Sequence, residues 1–357
     1  MPVDIYRGTI LIAILRSTCY LALSGCLVST QVQADTGSVA PFNVRNMNPF
    51  ALIYGLPAAS SSALLAANES SLQLTGDVAN NSIQRYSDSE RIRLDGETYR
   101  LALIWKRGIT ADWQIGIELP YLAHVGGRMD GLIENWHDIL RLPNSNREEW
   151  SRNDLVYRYE RAVGEQVLVN RNKRGVGDLQ VSLSHALAVD ADSSRRLALH
   201  ASLKLPTGDS DALLGSGAAD LALWLSGAGK GLFWHWPLHI YGQAGLLLKG
   251  EADLLRDLQR DLVYYGSLGI GWRPKGWLDL KAQVDVHSSH YDSNLDQLGG
   301  AALMLTVGGS IHLEELEGDT QRIDISIGEN LTTNSVPDFM INLAYVRHFD
   351  GLGFSAQ

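Results

Sequence analysis

Cysteine is almost missing from this sequence. Cys19 and Cys26 are the only two among 357 residues, and both lie near the N-terminus. No disulfide can therefore link parts of the chain beyond residue 26, and no Cys-x-x-Cys zinc or redox motif is present. This shortage excludes a disulfide scaffold and a cysteine-based metal site.

Long apolar runs and positive charge are also scarce. Beyond the N-terminus no run of about 18 uncharged apolar residues occurs, which excludes a membrane-spanning helix. The chain has 30 Lys and Arg against 40 Asp and Glu, so its net charge is −10. A nucleic-acid-binding protein needs a basic face, so no nucleic-acid partner is expected.

Common cofactor and metal motifs are missing as well. The GAGKG stretch at 227–231 lacks the spacing of a phosphate-binding loop, and GSLGIG at 266–271 lies within a strand pattern. His235 and His239 are four apart in a strand, where that spacing does not create a helix face. We therefore predict no cofactor and no metal.

The N-terminus has the pattern of an export signal. Positive charge precedes short apolar runs, and small residues up to Ala34 offer a cleavage site before Asp35. We therefore predict a signal peptide over residues 1–34. The lipobox-like stretch Leu23–Cys26 leaves a lipidated Cys26 open as the alternative.

Apolar and polar side chains alternate along most of the remaining chain. Successive side chains of a strand point to opposite faces, so this period of two predicts strands. We expect about twelve, most of about 10–13 residues, whereas globular strands have about five or six and membrane strands about 9–11. The predicted spans are 69–78, 97–106, 111–121, 177–189, 195–206, 218–228, 236–248, 261–272, 276–288, 301–313, 320–329 and 338–349.

The joins between these strands alternate in length. The short joins are 107–110, 190–194, 229–235, 273–275 and 314–319, and the mostly longer ones are 79–96, 122–176, 207–217, 249–260, 289–300 and 330–337. Short turns on one rim and long loops on the other are typical of outer-membrane barrels.

The stretch from Trp277 to His287 indicates what each strand face contacts. Its even-numbered side chains are aliphatic, so we expect them to contact lipid tails. Its odd-numbered side chains, from Asp279 onward, are polar, so we expect them to face a water-filled lumen. A soluble two-sheet sandwich also has one apolar face per strand, but it needs neither such long strands nor closure. We predict an all-β fold, namely an antiparallel transmembrane β-barrel of about 12 strands over residues 69–349 with a tail at 350–357.

The alternation also assigns side chains to the interior and to the rims. The residues expected to line the lumen are Asp178, Gln180, His200, Lys204, Asp220, Trp224, Tyr241, Gln243, Asp279, Lys281, Gln283, Asp285, Arg322 and Asp324. Aromatic residues near strand ends fit an interfacial girdle, with core packing as the alternative: Trp105, Trp113, Tyr121, Trp236, Trp272, Trp277, Tyr345 and Phe349.

Two segments lie outside the predicted strands. Residues 41–68 are too apolar for a disordered tail, so we expect residues 35–68 to form a plug in the lumen, with a periplasmic arm as the alternative. The extracellular loop 122–176 contains a helical pattern over 130–143. The loop also contains several basic residues, whose side chains suit contact with lipopolysaccharide phosphates. The alternative is a solvated loop of mixed charge. The basic residues are Arg147, Arg152, Arg158, Arg161, Arg171, Lys173 and Arg174.

One pair of residues suggests catalysis. His287 and Ser289 have the two-residue spacing of some membrane-barrel lipid hydrolases, but they are expected to face inward, and no Gly-x-Ser-x-Gly elbow is present. We therefore predict that the protein is not an enzyme and keep a lipid hydrolase as the alternative.

Three motifs carry a resemblance to a known group of proteins. They are Gly175-Val176-Gly177-Asp178, Lys204-Leu205-Pro206-Thr207-Gly208-Asp209, and Leu214-Gly215-Ser216-Gly217 with Asp220. They resemble proteobacterial outer-membrane barrels grouped with phenol meta-pathway transporters. The N-terminal PFNVRNMNPFALIYGLP resembles, more closely, an uncharacterised proteobacterial exported family defined by a domain of unknown function.

The same motifs have a local interpretation. Pro206 suits a strand end because it lacks an N–H, and Gly208 allows a positive φ in the turn Pro206, Thr207, Gly208 and Asp209. We favour turn chemistry over binding for these residues.

The resemblance implies an outer-membrane barrel. Our function hypothesis is a passive bacterial outer-membrane channel or transporter for a small compound, a hydrophobic one included. The expected partners are membrane lipid, lipopolysaccharide, the barrel-insertion machinery and a cargo that the sequence does not name. A structural or assembly barrel without transport is a further alternative.

Overall fold

The computed structural model describes residues 38–127, 154–162, 166–190, 195–233, 236–316, 319–331, 335–337 and 339–351. The predicted signal peptide with Ala34, Asp35 and Cys26, the helical pattern at 130–143 and most of the tail at 350–357 lie outside these ranges.

Fifteen strands form one antiparallel sheet. They are β1 (Glu69–Tyr86), β2 (Glu90–Gly108), β3 (Trp113–Val125), β4 (Val156–Arg161), β5 (Gln166–Val169), β6 (Lys173–Val176), β7 (Leu179–Val189), β8 (Arg195–Leu205), β9 (Asp220–Phe233), β10 (Trp236–Lys249), β11 (Leu262–Lys275), β12 (Leu278–His287), β13 (Ala302–Leu316), β14 (Asp319–Asn330) and β15 (Phe339–Asp350).

Twelve of these strands close into a ring. β1, β2 and β3 pair in sequence, β3 pairs with β7, and β7 through β15 pair in chain order. β15 then pairs with β1 over twelve residue pairs, from Glu69 opposite Asp350 to Asn80 opposite Phe339. The predicted antiparallel barrel of about 12 strands is therefore confirmed.

The ring has an apolar exterior and a polar interior. On β8 and β9, outward leucines such as Leu199 and Leu223 are 42% and 43% exposed. Inward residues such as His200 and Asp220 are nearly buried. Because exposed leucines are spread over the strands of the ring, this surface needs an apolar surrounding.

The first hairpin differs from the prediction. Residues 79–96 were expected to be a join, but β1 and β2 pair as far as Tyr86 and Arg91. β4 pairs with the start of β2, β5 pairs with β4, and β6 pairs with the end of β3. The strands continue because Ile92 and Leu94 bury their side chains with Tyr157 and Tyr159 of β4.

Helices are few and short. α1 (Pro49–Leu52) begins after Asn48, whose side chain accepts a hydrogen bond from the Phe50 N–H, and α2 (Asp296–Gly299) lies before β13. One-turn 3₁₀ helices cover Ser210–Ala212 and Arg256–Leu258. Within the described ranges, every helix is too short or too polar to cross a bilayer.

Candidate functional site: the barrel interior

Residues 38–65 lie inside the ring. The Phe42, Ser60 and Leu65 N–H groups donate to the side-chain oxygens of Gln283 (2.9 Å), Gln243 (3.0 Å) and Gln114 (3.1 Å). These glutamines belong to β12, β10 and β3, on different sides of the ring. The backbone donors of an irregular segment are thus paired by the wall, as buried polar groups require.

Lys204 is the centre of a buried charge cluster. Its Nζ lies 2.8 Å from Asp178 and 3.0 Å from Asp220, and it donates to Ser216 Oγ. The same ammonium donates to the Ile53 carbonyl (3.0 Å), and the Gly55 N–H donates to Asp220 (2.9 Å). Wall, loop and inner segment are therefore joined at one cation.

The turn motif interlocks with this cluster. Thr207 Oγ1 donates to the Gly177 carbonyl (2.8 Å) and accepts from the Leu179 N–H (2.9 Å). The Gly208 N–H donates to Asp178 (2.8 Å), and the Asp209 carbonyl accepts from the Leu214 N–H (2.9 Å).

Glycine is needed in this motif for space. Gly208 does not adopt a positive φ, whereas Leu213 and Gly217 nearby do. A Cβ on Gly208 would lie 2.5 Å from the Leu214 carbonyl oxygen. A Cβ on Gly215 would lie 2.3 Å from an Asp178 carboxylate oxygen. Both glycines therefore permit close approach between loop and cluster.

A second network ties the inner segment to β3. Arg45 pairs with Glu118 at 2.8 Å and donates to the Leu56 carbonyl. Arg100 also pairs with Glu118, and with Asp77 at 2.8 Å. Asp77 accepts from Asn342 at 2.6 Å, which extends the network to β15. Gln180 accepts weakly from Arg45, at 3.4 Å.

A third network extends from β11 to β14. Lys281 donates to the Ala40 carbonyl (3.0 Å), lies 3.5 Å from Asp324 and stands 3.8 Å over the Phe42 ring. Arg322 pairs with Asp324 at 2.9 Å. Asp279 pairs with Arg273 at 2.5 Å and accepts from His312 at 2.8 Å.

The remaining predicted lumen residues are neutral or paired with neutral groups. His200 stacks on Trp224 with ring centroids 5.0 Å apart and bonds Ser184 and Ser226, each at 2.7 Å. Asp285 accepts from Ser267 at 2.6 Å. The Tyr241 ring is 3% exposed and lies against Gly269.

The alternation of apolar and polar residues could have identified some interior residues that were missing from the predicted lumen set. Asp77, Arg100 and Glu118 lie in predicted strands on the face opposite the outward leucines. Arg45 has no such signal, because the inner segment has no repeating pattern.

His287 and Ser289 do not form a catalytic pair. His287 Nε2 lies 3.0 Å from Asn46 Nδ2, and its Nδ1 lies 2.8 Å from the Ser288 carbonyl. Ser289 Oγ donates to the Tyr291 carbonyl at 2.5 Å. Each group is engaged elsewhere, so the geometry gives the hydrolase hypothesis no support.

The adjacent loop adds a buried imidazole. His290 stacks on Tyr54, with centroids 5.0 Å apart, and its carbonyl accepts from Lys249 at 2.8 Å. Burial, together with the nearby His287 and Lys249, holds the pKa of His290 well below its usual range.

Two cavities flank the inner segment. One, of about 40 Å³, is lined by Leu52, Met304 and His290 among others. The other, of about 60 Å³, is mostly polar and includes His200 and Lys106. Arg45 and Pro57 border both. A water needs about 10–15 Å³, so each cavity holds a few waters and is too small for a typical ligand of about 300 Å³ or more.

The ring and its polar interior define an outer-membrane-type β-barrel. The chain belongs to the family described as Protein of unknown function (DUF3187), whose model matches residues 17–349. This finding agrees with the uncharacterised family expected from the N-terminal motif.

The chain is similar to several solved structures, to different degrees. The COG4313 outer membrane channel from Pseudomonas putida F1 is similar with a TM-score of 0.50 and 13% identity, over 80% of this chain and 97% of that one. The NanC porin is similar at TM-score 0.43 and 10% identity, over 78% and 99%. The Ralstonia pickettii toluene transporter TbuX is similar at 0.36 and 10%, over 88% and 96%. No curated protein matches the sequence significantly.

Proposed function

We propose that this protein is a bacterial outer-membrane channel that passes a small compound through the barrel interior, and that residues 38–65 plug that passage. The observation that supports the proposal best is the filled interior. The segment bonds to the wall on β3, β10 and β12, and the cavities beside it hold only a few waters. Passage of a larger molecule therefore requires the segment to move.

The wall is suited to stay closed while the segment moves. Its strands are joined by backbone pairing around the whole ring, whereas the segment is held by bonds to wall side chains and by the ion pair of Arg45 with Glu118. If the segment leaves, Glu118 keeps Arg100 and Asp220 keeps Lys204. The wall charges thus remain compensated, which avoids the cost of an unpaired buried charge.

A small, weakly polar compound is our proposal for the cargo. The cavity beside Leu52 and Met304 favours such a compound. Charges of both signs along the wall, paired with one another, disfavour strong ion selectivity. The motif resemblance to phenol meta-pathway barrels makes a monoaromatic compound the first candidate.

Liposome swelling tests the proposal. We expect slow uptake of arabinose by liposomes that contain the full-length protein and fast uptake with a variant that lacks residues 38–65. Heat-modifiable gel migration of both forms shows that the ring is closed. The proposal is wrong if liposomes with the folded deletion variant are as impermeable to arabinose as empty liposomes.

A further inference from the structure

A group of arginines lies outside the interior, on the strand extension at the loop rim. The extension consists of the ends of β1 and β2, which meet at the turn 87–89, and of β4 and β5. Its inner face is apolar, and Ile92, Leu94, Tyr157 and Tyr159 are at most 1% exposed. This face is fully used by packing, so the opposite face is free for another role.

The strand register brings three guanidinium groups together on that opposite face. Arg91 and Arg93 are two apart on β2, and Arg93 lies directly opposite Arg158 on β4. Directly opposed like charges destabilise a sheet, and their Cβ atoms are about 4.5–5.5 Å apart. An anion placed between them would remove this repulsion.

Asp95 and Glu160 neutralise the three arginines only in part. Arg93 pairs with Asp95 at 2.8 Å, and Arg158 lies 3.6 Å from Glu160, which is a long and exposed contact. Glu160 also lies directly opposite Arg91 in the strand register, but Arg91 is exposed and forms no ion pair within the described residues. An exposed pair such as Arg158 with Glu160 contributes about 0–1 kcal/mol, so it competes weakly with a multivalent anion.

These residues surround a concave surface. Its volume is about 430 Å³, and the three arginines line it with Gln84, Tyr86 and Glu160 among others. Tyr86 is 77% exposed and lies opposite Arg91. The volume is that of a small-ligand site, and an exposed aromatic ring beside guanidinium groups suits a phosphorylated sugar.

The arginine face continues the outer face of the barrel. Arg91 and Arg93 lie on the same side of β2 as Leu101 and Leu103, which are 50% and 45% exposed. Eight residues separate Arg93 from Leu101, or about 26 Å along the strand, less when the strand is tilted. The patch therefore lies beyond the hydrocarbon boundary, at the level of the outer leaflet's sugars.

We propose that Arg91, Arg93 and Arg158 form a binding site for the phosphate groups of lipopolysaccharide. The inference rests on the outer-membrane location in the proposed function. Guanidinium groups bind phosphate oxygens through two parallel hydrogen bonds, and three of them on one face match a saccharide with several phosphates.

The test compares two sets of variants of the full-length protein in detergent. One carries Arg91→Gln, Arg93→Gln and Arg158→Gln. The control carries Arg256→Gln and Arg260→Gln, since these exposed arginines are at the same rim and each faces a single acid. The probes are phosphorylated lipopolysaccharide, the same material after dephosphorylation, and inorganic phosphate. Heat-modifiable migration verifies that every variant is folded.

We expect the triple variant to bind phosphorylated lipopolysaccharide at least about tenfold more weakly than the unchanged protein, and the control to stay within about twofold. Dephosphorylation of the lipid should weaken binding to the unchanged protein by a similar factor. Equal binding by the triple variant, or equal binding of the dephosphorylated lipid, overturns the proposal. Tight binding of inorganic phosphate without any gain from the lipid overturns the lipid assignment.

The outcome is independent of the channel test. The triple variant changes no residue of the interior, so its liposome swelling should equal that of the unchanged protein. Loss of lipid binding with unaltered permeation supports this site, whereas absence of permeation in all forms counts against the channel alone.

Discussion

Asp178 determines why residue 215 is glycine. Its carboxylate lies where the Cβ of any other residue would be. The glycine in this sequence motif is therefore required by a contact between a loop and a strand. The sequence alone suggested turn chemistry, because Asp178, Lys204, Ser216 and Asp220 are separated along the chain. Alternation assigns each strand residue to a face but does not show which inward side chains meet.

Replacing this glycine should loosen the Lys204 cluster. We expect Gly215→Ala to lower the free energy of unfolding by about 1–3 kcal/mol, because the alanine forces Asp178 or the loop to shift. The measurement is the thermal midpoint of the β-sheet circular dichroism signal in detergent.

Gly231→Ala is the matched control, since a Cβ there meets nothing within 4 Å. The interpretation of Gly215 fails if the two variants have equal thermal midpoints.

Elements of the ring follow the alternation closely, and the exceptions have physical causes. β8 was expected at 195–206 and spans Arg195–Leu205. The join predicted at 79–96 was wrong, because Asn80 and Asn81 pair with Glu97 and Gly96 in the sheet. The apolar partners that hold this extension come from β4, which lies about sixty residues later in the chain.

The inner segment could not be placed from its sequence. Its composition predicted order, and two locations were open, inside the lumen or in the periplasm. Its position follows from single hydrogen bonds between backbone N–H groups and inward glutamines, such as Phe42 with Gln283. Contacts of this kind leave no repeating sequence signal.

A reversible cross-link can test whether this element is the barrier. A Cβ on Gly271 of β11 would lie 3.0 Å from the Val39 Cβ, and disulfides have Cβ atoms about 3.8 Å apart, so a small shift allows the bond. We expect Val39→Cys with Gly271→Cys to show no arabinose uptake when oxidised and to recover the uptake of the unlinked protein after reduction.

Val39→Cys alone, treated with the same oxidant, controls for oxidation. Equal uptake before and after reduction in the cross-linked protein would show that this end of the segment need not move.

The whole barrel depends on its last pairing. β15 contacts β14 on one side and β1 on the other, so its loss opens both neighbours. An unpaired strand edge in lipid costs several kcal/mol for each backbone group, and the ring should not form without it.

Removal of residues 339–351 should therefore abolish heat-modifiable gel migration of the membrane fraction. Removal of residues 38–65 should preserve it, because the ring pairings do not include them. If the shortened chain without β15 still migrates as a closed barrel, a different strand order must close the sheet.

Closure between β1 and β15 also has a consequence for biogenesis. β1 follows the inner segment directly, while β15 is the last strand of the ring in chain order. The seam can form only after the other strands are aligned, and by then residues 38–65 are already tethered to one of its two edges. This covalent link keeps the segment next to the barrel while it assembles, so the segment can be enclosed when β1 and β15 pair.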